Sequence, residues 1–296
     1  MAGRRIIDAH HHLWNLSQGY NYPWLQDRPL GEGMLGNLTP IATDYLPEAY
    51  LADCAGYELV KSVHVEAVPK DVLQETRWLA ENARANIANA IVAHADLNAP
   101  DAERQLAAQS AFANVKGVRQ IVNWHPDARF SFTPNDLLID STWRSGYALL
   151  KKYGLSFDLQ LYANQMEAAA DLARRHPETL VIVNHAGMPV DRDPDGIALW
   201  RNGMKRLGSL DNVVAKISGL GMVDRNWTID SIRPFVRHTI DCFGPGRVMF
   251  GSNFPVDKLY SSFATLYGAF ETITADLPES ERDQMFYSNA LTHYRL

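Results

Sequence analysis

Short β-branched runs alternate along this chain with longer amphipathic stretches. The runs that read as strands are RRIID (Arg4 to Asp8), KSVHVEA (Lys61 to Ala67), AIVAHADL (Ala90 to Leu97) and VKGVRQIV (Val115 to Val122). They continue with LSFDLQL (Leu155 to Leu161), LVIVNH (Leu180 to His185), VVAKIS (Val213 to Ser218) and RVMFG (Arg247 to Gly251). Between them the apolar positions recur at helical spacing. VLQETRWLAENARAN begins at Val72, DAERQLAAQSAF at Asp101, and STWRSGYALLKKYG ends on Gly154, which suits a left-handed C-terminal cap. Further helices are expected near Asn164, Gly196, Asp230, Ser261 and Glu279. Strands alternating with helices imply βα units and a parallel sheet, and eight such units imply closure into an α/β (β/α)8 TIM barrel. A doubly wound open sheet is the competing architecture.

Two stretches exceed what a minimal barrel needs. Trp14 to Pro47 is aromatic and punctuated by Pro23, Pro29 and Pro40, with Gly31, Gly33 and Gly36; Trp124 to Asn135 is a shorter version. Each follows a strand, so each should overhang the C-terminal mouth, and loops of that length usually carry function.

The 296 residues, 46% of them hydrophobic, suffice for one large barrel domain spanning 1–296. A net charge of −6 without like-charge runs gives no electrostatic footprint for nucleic acid. No window approaches ~18 consecutive apolar residues, so no membrane span is expected. The two cysteines, Cys54 and Cys242, lie far apart and outside any CxxC spacing, as in a reduced cytoplasmic protein. The oligomeric state is not legible; the expected partner is a small-molecule substrate.

Chemistry in a barrel collects where strands end. The first strand delivers Asp8 and the run His10, His11, His12. Alternate side chains share a face of an extended chain, so His10 and His12 should point inward together and His11 away. Two such imidazoles can grip one metal ion or one substrate oxygen. The other strand ends bring His64 and Glu66, His94 and Asp96, Arg119, Asp158 and Gln160, Asn184 and His185, Lys216 and Ser218, and finally Ser252, Asn253 and Asp257. A lone histidine is more often structural than a ligand; His185 at the end of a second strand changes that balance.

The motifs IIDAHHHLW, VIVNHAGMP, RVMFGSNFPVDK and the terminal NALTHYRL resemble the amidohydrolase superfamily. More narrowly they resemble the amidohydrolase-2 branch that includes 2-pyrone-4,6-dicarboxylate lactonase and the fucono- and rhamnonolactonases. The resemblance implies a (β/α)8 barrel with its site at the mouth. It implies that His10 and His12 are the HxH pair and His185 the sixth-strand histidine, and that Arg119 holds a substrate carboxylate or carbonyl. Two departures stand out. VKGVRQIV has no counterpart of the metal-bridging lysine, which argues against a two-metal centre. The usual eighth-strand aspartate is Asn253, which cannot act as a base, leaving Asp257, His10, His12, His185 or Glu66 for that role.

The expected reaction is hydrolytic opening of a lactone, with His10, His12, His185, Asn253 and Asp257 as the catalytic set. One divalent metal, zinc, held by His10, His12 and His185 is the candidate cofactor. Substrate binding is expected from Arg119, Glu66, His64 and Gln160, with Trp14, Trp124 and Arg129 from the mouth loops, which also carry Tyr20, Tyr22, Trp24 and His125. Aromatic faces suit a sugar-acid lactone or a planar pyrone, and two arginines suit carboxylates. The alternatives are a zinc-dependent decarboxylase, an amide hydrolase and a non-catalytic binder.

Overall fold

The structure is a computed structural model describing residues 3–28, 30 and 33–296. Pro29 and Gly31 of the first mouth loop lie outside the described residues. Eight parallel strands form one sheet in sequence order: β1 Arg5–His11, β2 Glu58–Val65, β3 Ala90–His94, β4 Val115–Arg119, β5 Ser156–Leu159, β6 Val181–Val183, β7 Val213–Ile217 and β8 Val248–Phe250. All seven successive pairs are parallel. With helices between the strands, this is the (β/α)8 barrel, not the open sheet.

The barrel closes where β8 meets β1. His11 and Phe254 form a parallel bridge, His12 N–H donates to Phe254 O at 2.7 Å, and Asn253 N–H donates to His10 O at 2.7 Å. Asp8 locks this seam. Its carboxylate accepts the Ser252 backbone N–H (2.7 Å) and hydroxyl (2.6 Å) and the Tyr50 hydroxyl (2.7 Å). Asp8 is therefore a structural residue rather than a donor to the mouth.

Helix ends follow local chemistry. Asp71, Asp140 and Asp193 cap the helices Val72–Asn82, Ser141–Tyr147 and Pro194–Gly208 through their carboxylates, and Pro194 opens the last of these. Thr228 and Ser231 form a reciprocal cap at Ile229–Phe243. The helix expected over Ser141 to Gly154 divides into Ser141–Tyr147 and Leu150–Tyr153, and Gly154 ends it at φ 62°.

Ile7, Ala9, Val63, Val65, Ala90, Val92, Ile182, Val214 and Met249 fill the barrel interior. Among them Lys216, fully buried, donates to Asp158 Oδ1, which the Tyr294 hydroxyl also contacts at 2.9 Å; Asn184 Nδ2 donates to the same carboxylate at 3.0 Å. These residues seal the barrel below the site.

Strict alternation from Ile7 and Ala9 would send His11 inward. The β1–β2 register shows why it does not: Asp8 pairs with Ser62 but His11 with His64, so β1 carries one extra residue. Such a bulge re-aims the side chains after it. His11 turns outward, stacks on Tyr50 at 4.1 Å and hydrogen-bonds Ser62 Oγ at 3.0 Å. His10 and His12 turn in together, as expected.

Candidate active site

Three imidazoles from two strand ends converge at the mouth. The His10 ring lies 5.0 Å from that of His12 and 4.6 Å from that of His185, centroid to centroid. Two glycines make the approach possible. A side chain at Gly251 would meet His10 Cβ at 2.7 Å, and one at Gly219, where φ is +61°, would meet His185 Nδ1 at 2.4 Å.

Above them opens a cavity of about 540 Å³, within the usual range for small-molecule sites. Its floor carries His12, His185, Arg119, Glu66, Gln160 and Asn253. Four lining residues that are not glycine have left-handed backbones: Val68 (φ 56°), His185 (55°), Met188 (41°) and Asn253 (56°). Such conformations cost about 1–3 kcal/mol each and cluster at functional sites. They also explain why β6 ends at Val183, short of the expected His185: the chain turns out of the ladder to aim the histidine.

The hydrogen bonds define what each floor residue has left to offer. His12 Nδ1 lies 2.8 Å from the Val65 carbonyl oxygen, which can only accept, so Nδ1 carries the proton. Burial first, and the Arg119 charge second, push His12 down to about 4, so the ring is neutral and its Nε2 bare. His185 Nδ1 pairs with Ser218 Oγ at 2.9 Å, leaving its Nε2 free; burial and nearby cations hold this ring well below the ordinary histidine range. Arg119 donates from Nε to Glu66 Oε1 (2.6 Å) and from its two terminal nitrogens to the Glu66 carbonyl oxygen (2.6 Å) and Gln160 Oε1 (2.9 Å). One N–H on each terminal nitrogen remains.

Asn253 bridges the opposite side. Its Oδ1 lies 3.3 Å from His12 Nε2, and its Nδ2 donates to Asp257 Oδ2 at 2.5 Å. With Nδ1–H fixed on Val65, Nε2 and Oδ1 are two acceptors face to face. No hydrogen bond joins them, so Nε2 stays available to a ligand. Burial pushes the Asp257 carboxyl up to about 7, against the opposing pull of Asn253 and the Gly221 N–H.

Several expected residues stand elsewhere. His10 lies beneath the cavity floor, fully buried. Asp257 is behind Asn253 and does not line the cavity, so it reaches the site only through that amide. His64 is buried under His12, with Nε2 3.4 Å from Leu13 O. Trp14 is a core residue: its Nε1–H donates to Thr43 O at 2.7 Å, and Trp24 takes the cavity edge above it. Trp124 lines an adjoining surface hollow with His125 and with Phe132, which also lines the main cavity. Arg129 is 83% exposed and paired with Asp127, so it is not a second cation in the cavity. The residues that sequence reasoning missed form the upper wall, including Leu35, Leu38, Ile121, Met188 and Met222. The glycine-rich AGMP and SGLGM turns after β6 and β7 were the available signal for the two methionines.

The donor chemistry fits a zinc ion. Both ring nitrogens of His10 are buried without a hydrogen-bond partner, and His12 and His185 each keep a free nitrogen. The bond from His12 Nδ1–H to a carbonyl is also how ligating histidines are commonly oriented. Among the described residues no three such side chains already surround one point, so their rings would have to close around the ion.

A family model for amidohydrolases (Amidohydro_2) matches residues 7–296. The chain belongs to the amidohydrolase family. It is an enzyme, a hydrolase, which removes the non-catalytic binder. This amidohydrolase is 43% identical to the uncharacterized protein y4mH of Sinorhizobium fredii over 100% of both chains. It is 29% identical to an L-fucono-1,5-lactonase of Burkholderia multivorans, across 99% of this chain and 97% of that one. A crystal structure of a Burkholderia multivorans amidohydrolase with bound zinc superposes with a TM-score of 0.82 at 28% identity, covering 98% and 99% of the two chains. No helix among the described residues is long and apolar enough to cross a membrane.

Proposed function

We propose that this amidohydrolase hydrolyses lactones, as its relatives named lactonases do. The observation that carries the reading is a bare imidazole nitrogen, His12 Nε2, sharing a cavity floor with the uncommitted N–H groups of Arg119. Water attacks the lactone carbonyl carbon, and its proton passes to His12 Nε2. The carbonyl electron pair moves to oxygen, where Arg119 N–H groups stabilise the charge. Collapse breaks the bond to the ring oxygen, which receives the proton from His12 and leaves as the hydroxyl of a hydroxy acid. A ring held near 4 is a weak base but, once protonated, a strong acid for that last transfer. Asn253 orients the water, and Asp257 fixes the amide. If His10, His12 and His185 held zinc instead, His12 Nε2 would be a ligand and not the base, and the ion would supply Lewis-acid polarisation and an acidified water.

The test is a lactone panel read by a pH indicator, before and after chelation. Turnover should fall about 100-fold or more in His12→Ala. Undiminished turnover in that variant would overturn the role of His12, and no turnover of any lactone by the wild type would overturn the reaction class. Loss of activity on chelation with recovery on zinc addition would assign the histidines to a metal.

A further inference from the structure

The cavity is divided by chemistry. Above the polar floor its wall is apolar, built among the described residues from Trp24, Leu35, Leu38, Ile121, Met188 and Met222. Trp24 cannot turn its indole N–H to a ligand, because Nε1 donates to Ala67 O at 2.8 Å. Methionine side chains adapt to irregular apolar shapes and offer almost no hydrogen bonding.

Two of the polar lining residues are already engaged. Glu66 spends Oε1 on Arg119 and Oε2 on the Val68 N–H at 2.8 Å. Gln120 accepts from Leu97 N–H and Trp143 Nε1–H and donates to Asp96, so both ends of its amide are occupied. A sugar-acid lactone brings several hydroxyls, and each one buried without a partner weakens binding about 5- to 150-fold.

Net charge points the same way. Arg119 is matched by Glu66 at 2.6 Å, both almost wholly buried, and Arg129 lies outside the cavity. A dicarboxylate would have no unmatched cation to meet. Besides the Nε2 atoms of His12 and His185 and one N–H on each terminal nitrogen of Arg119, only the Gln160 amide NH2 and the His94 ring, 3.9 Å from Glu66, remain as neutral polar partners beside an otherwise apolar lining.

We propose that the substrate is an uncharged lactone bearing an alkyl or aryl substituent, its ring on the polar floor and its substituent against the wall. This rests on the lactonase reading and narrows it to a substrate class unlike polyhydroxylated or dicarboxylated lactones.

The experiment compares kcat/KM of the wild type for γ- and δ-lactones with alkyl chains from methyl to octyl, for aldonolactones and for a pyrone dicarboxylate. Each buried methylene should raise kcat/KM about 4-fold until the wall is filled. Met222→Gln should flatten that slope. Aldonolactones or the pyrone outrunning the long-chain lactones, or a slope of zero with chain length, would overturn the proposal while leaving lactone hydrolysis intact. If no lactone of any kind is turned over, the reaction class fails instead. Binding of octyl lactone and of an aldonolactone, followed by tryptophan fluorescence, then decides the cavity's preference separately: tighter octyl binding supports an apolar ligand, and equal or weaker binding overturns it.

Discussion

Two buried carboxyls flank the cavity floor, and they titrate in opposite directions. Glu66, just beyond β2, is fully buried, which by itself would push its pKa up. The Arg119 guanidinium, with His94 and the Val68 N–H, more than reverses this and holds Glu66 below the ordinary range. Asp257, beyond β8, is equally buried but faces only the Asn253 amide and the Gly221 N–H. Burial wins there, and the carboxyl rises to about 7. Burial alone therefore does not set the state of an acid in this barrel; a matched cation does. The Glu66 side holds a charge to position an arginine, whereas the Asp257 side stores a proton behind an amide.

The largest effect should come from removing that cation. Arg119→Ala leaves Glu66 buried and unpaired, a change that costs about 3–5 kcal/mol in comparable sites. Urea denaturation at neutral pH should show a loss of that size, together with loss of turnover. Adding Glu66→Gln should restore much of the stability but none of the turnover. If single and double variants unfold at the same urea concentration, Glu66 is not held as an ion.

A smaller effect, set by pH, should come from the other side. Asp257 has a folded-state pKa of about 7 against an ordinary value of 3.8. Between these values the unfolded chain has released a proton that the folded chain keeps. The contribution of Asp257 is thus fully present below about pH 4 and is lost as pH rises toward 7. Asp257→Asn, which mimics the protonated acid, should gain on the wild type by up to a few kcal/mol across that window and level off above it. A stability difference that stays constant from pH 4 to pH 8 would place the Asp257 pKa at its ordinary value. Glu66 slopes the other way, its stabilisation fading as pH falls through the carboxylate range.

How legible this was depended on whether a feature is local. The strands were readable because β-branched runs between turn residues report directly on local backbone preference. That His10 and His12 share a face is readable from alternation. That this face turns inward is not, because the bulge that turns it depends on the register between Asp8 and Ser62, residues from different strands. Arg119 was readable as a buried strand arginine, but its match with Glu66 is a contact across the mouth. Asp257 reads as one candidate base because it is near Asn253 in sequence; the turn between them places it behind the amide. The apolar wall was the least legible, since it gathers single residues from several loops and no one loop carries a periodic signal. Trp14 and Trp24, ten residues apart in one loop, illustrate the limit: composition treats them alike, and only packing separates core from cavity.

That pair gives the finest division between the cavity and the core beneath it. Each indole donates one hydrogen bond to a backbone carbonyl, Trp14 to Thr43 at 2.7 Å and Trp24 to Ala67 at 2.8 Å. Replacing either by phenylalanine removes that bond and should cost about 0.5–1.5 kcal/mol. The stability losses should therefore be similar, while KM separates the two. Trp24→Phe changes a surface that lines the cavity and should raise KM severalfold for the best lactone found. Trp14→Phe lies under that surface and should leave KM within twofold. Equal KM shifts in both variants would mean that the wall responds as a unit with the core, and that the tryptophans in this loop divide less sharply than their hydrogen bonds indicate.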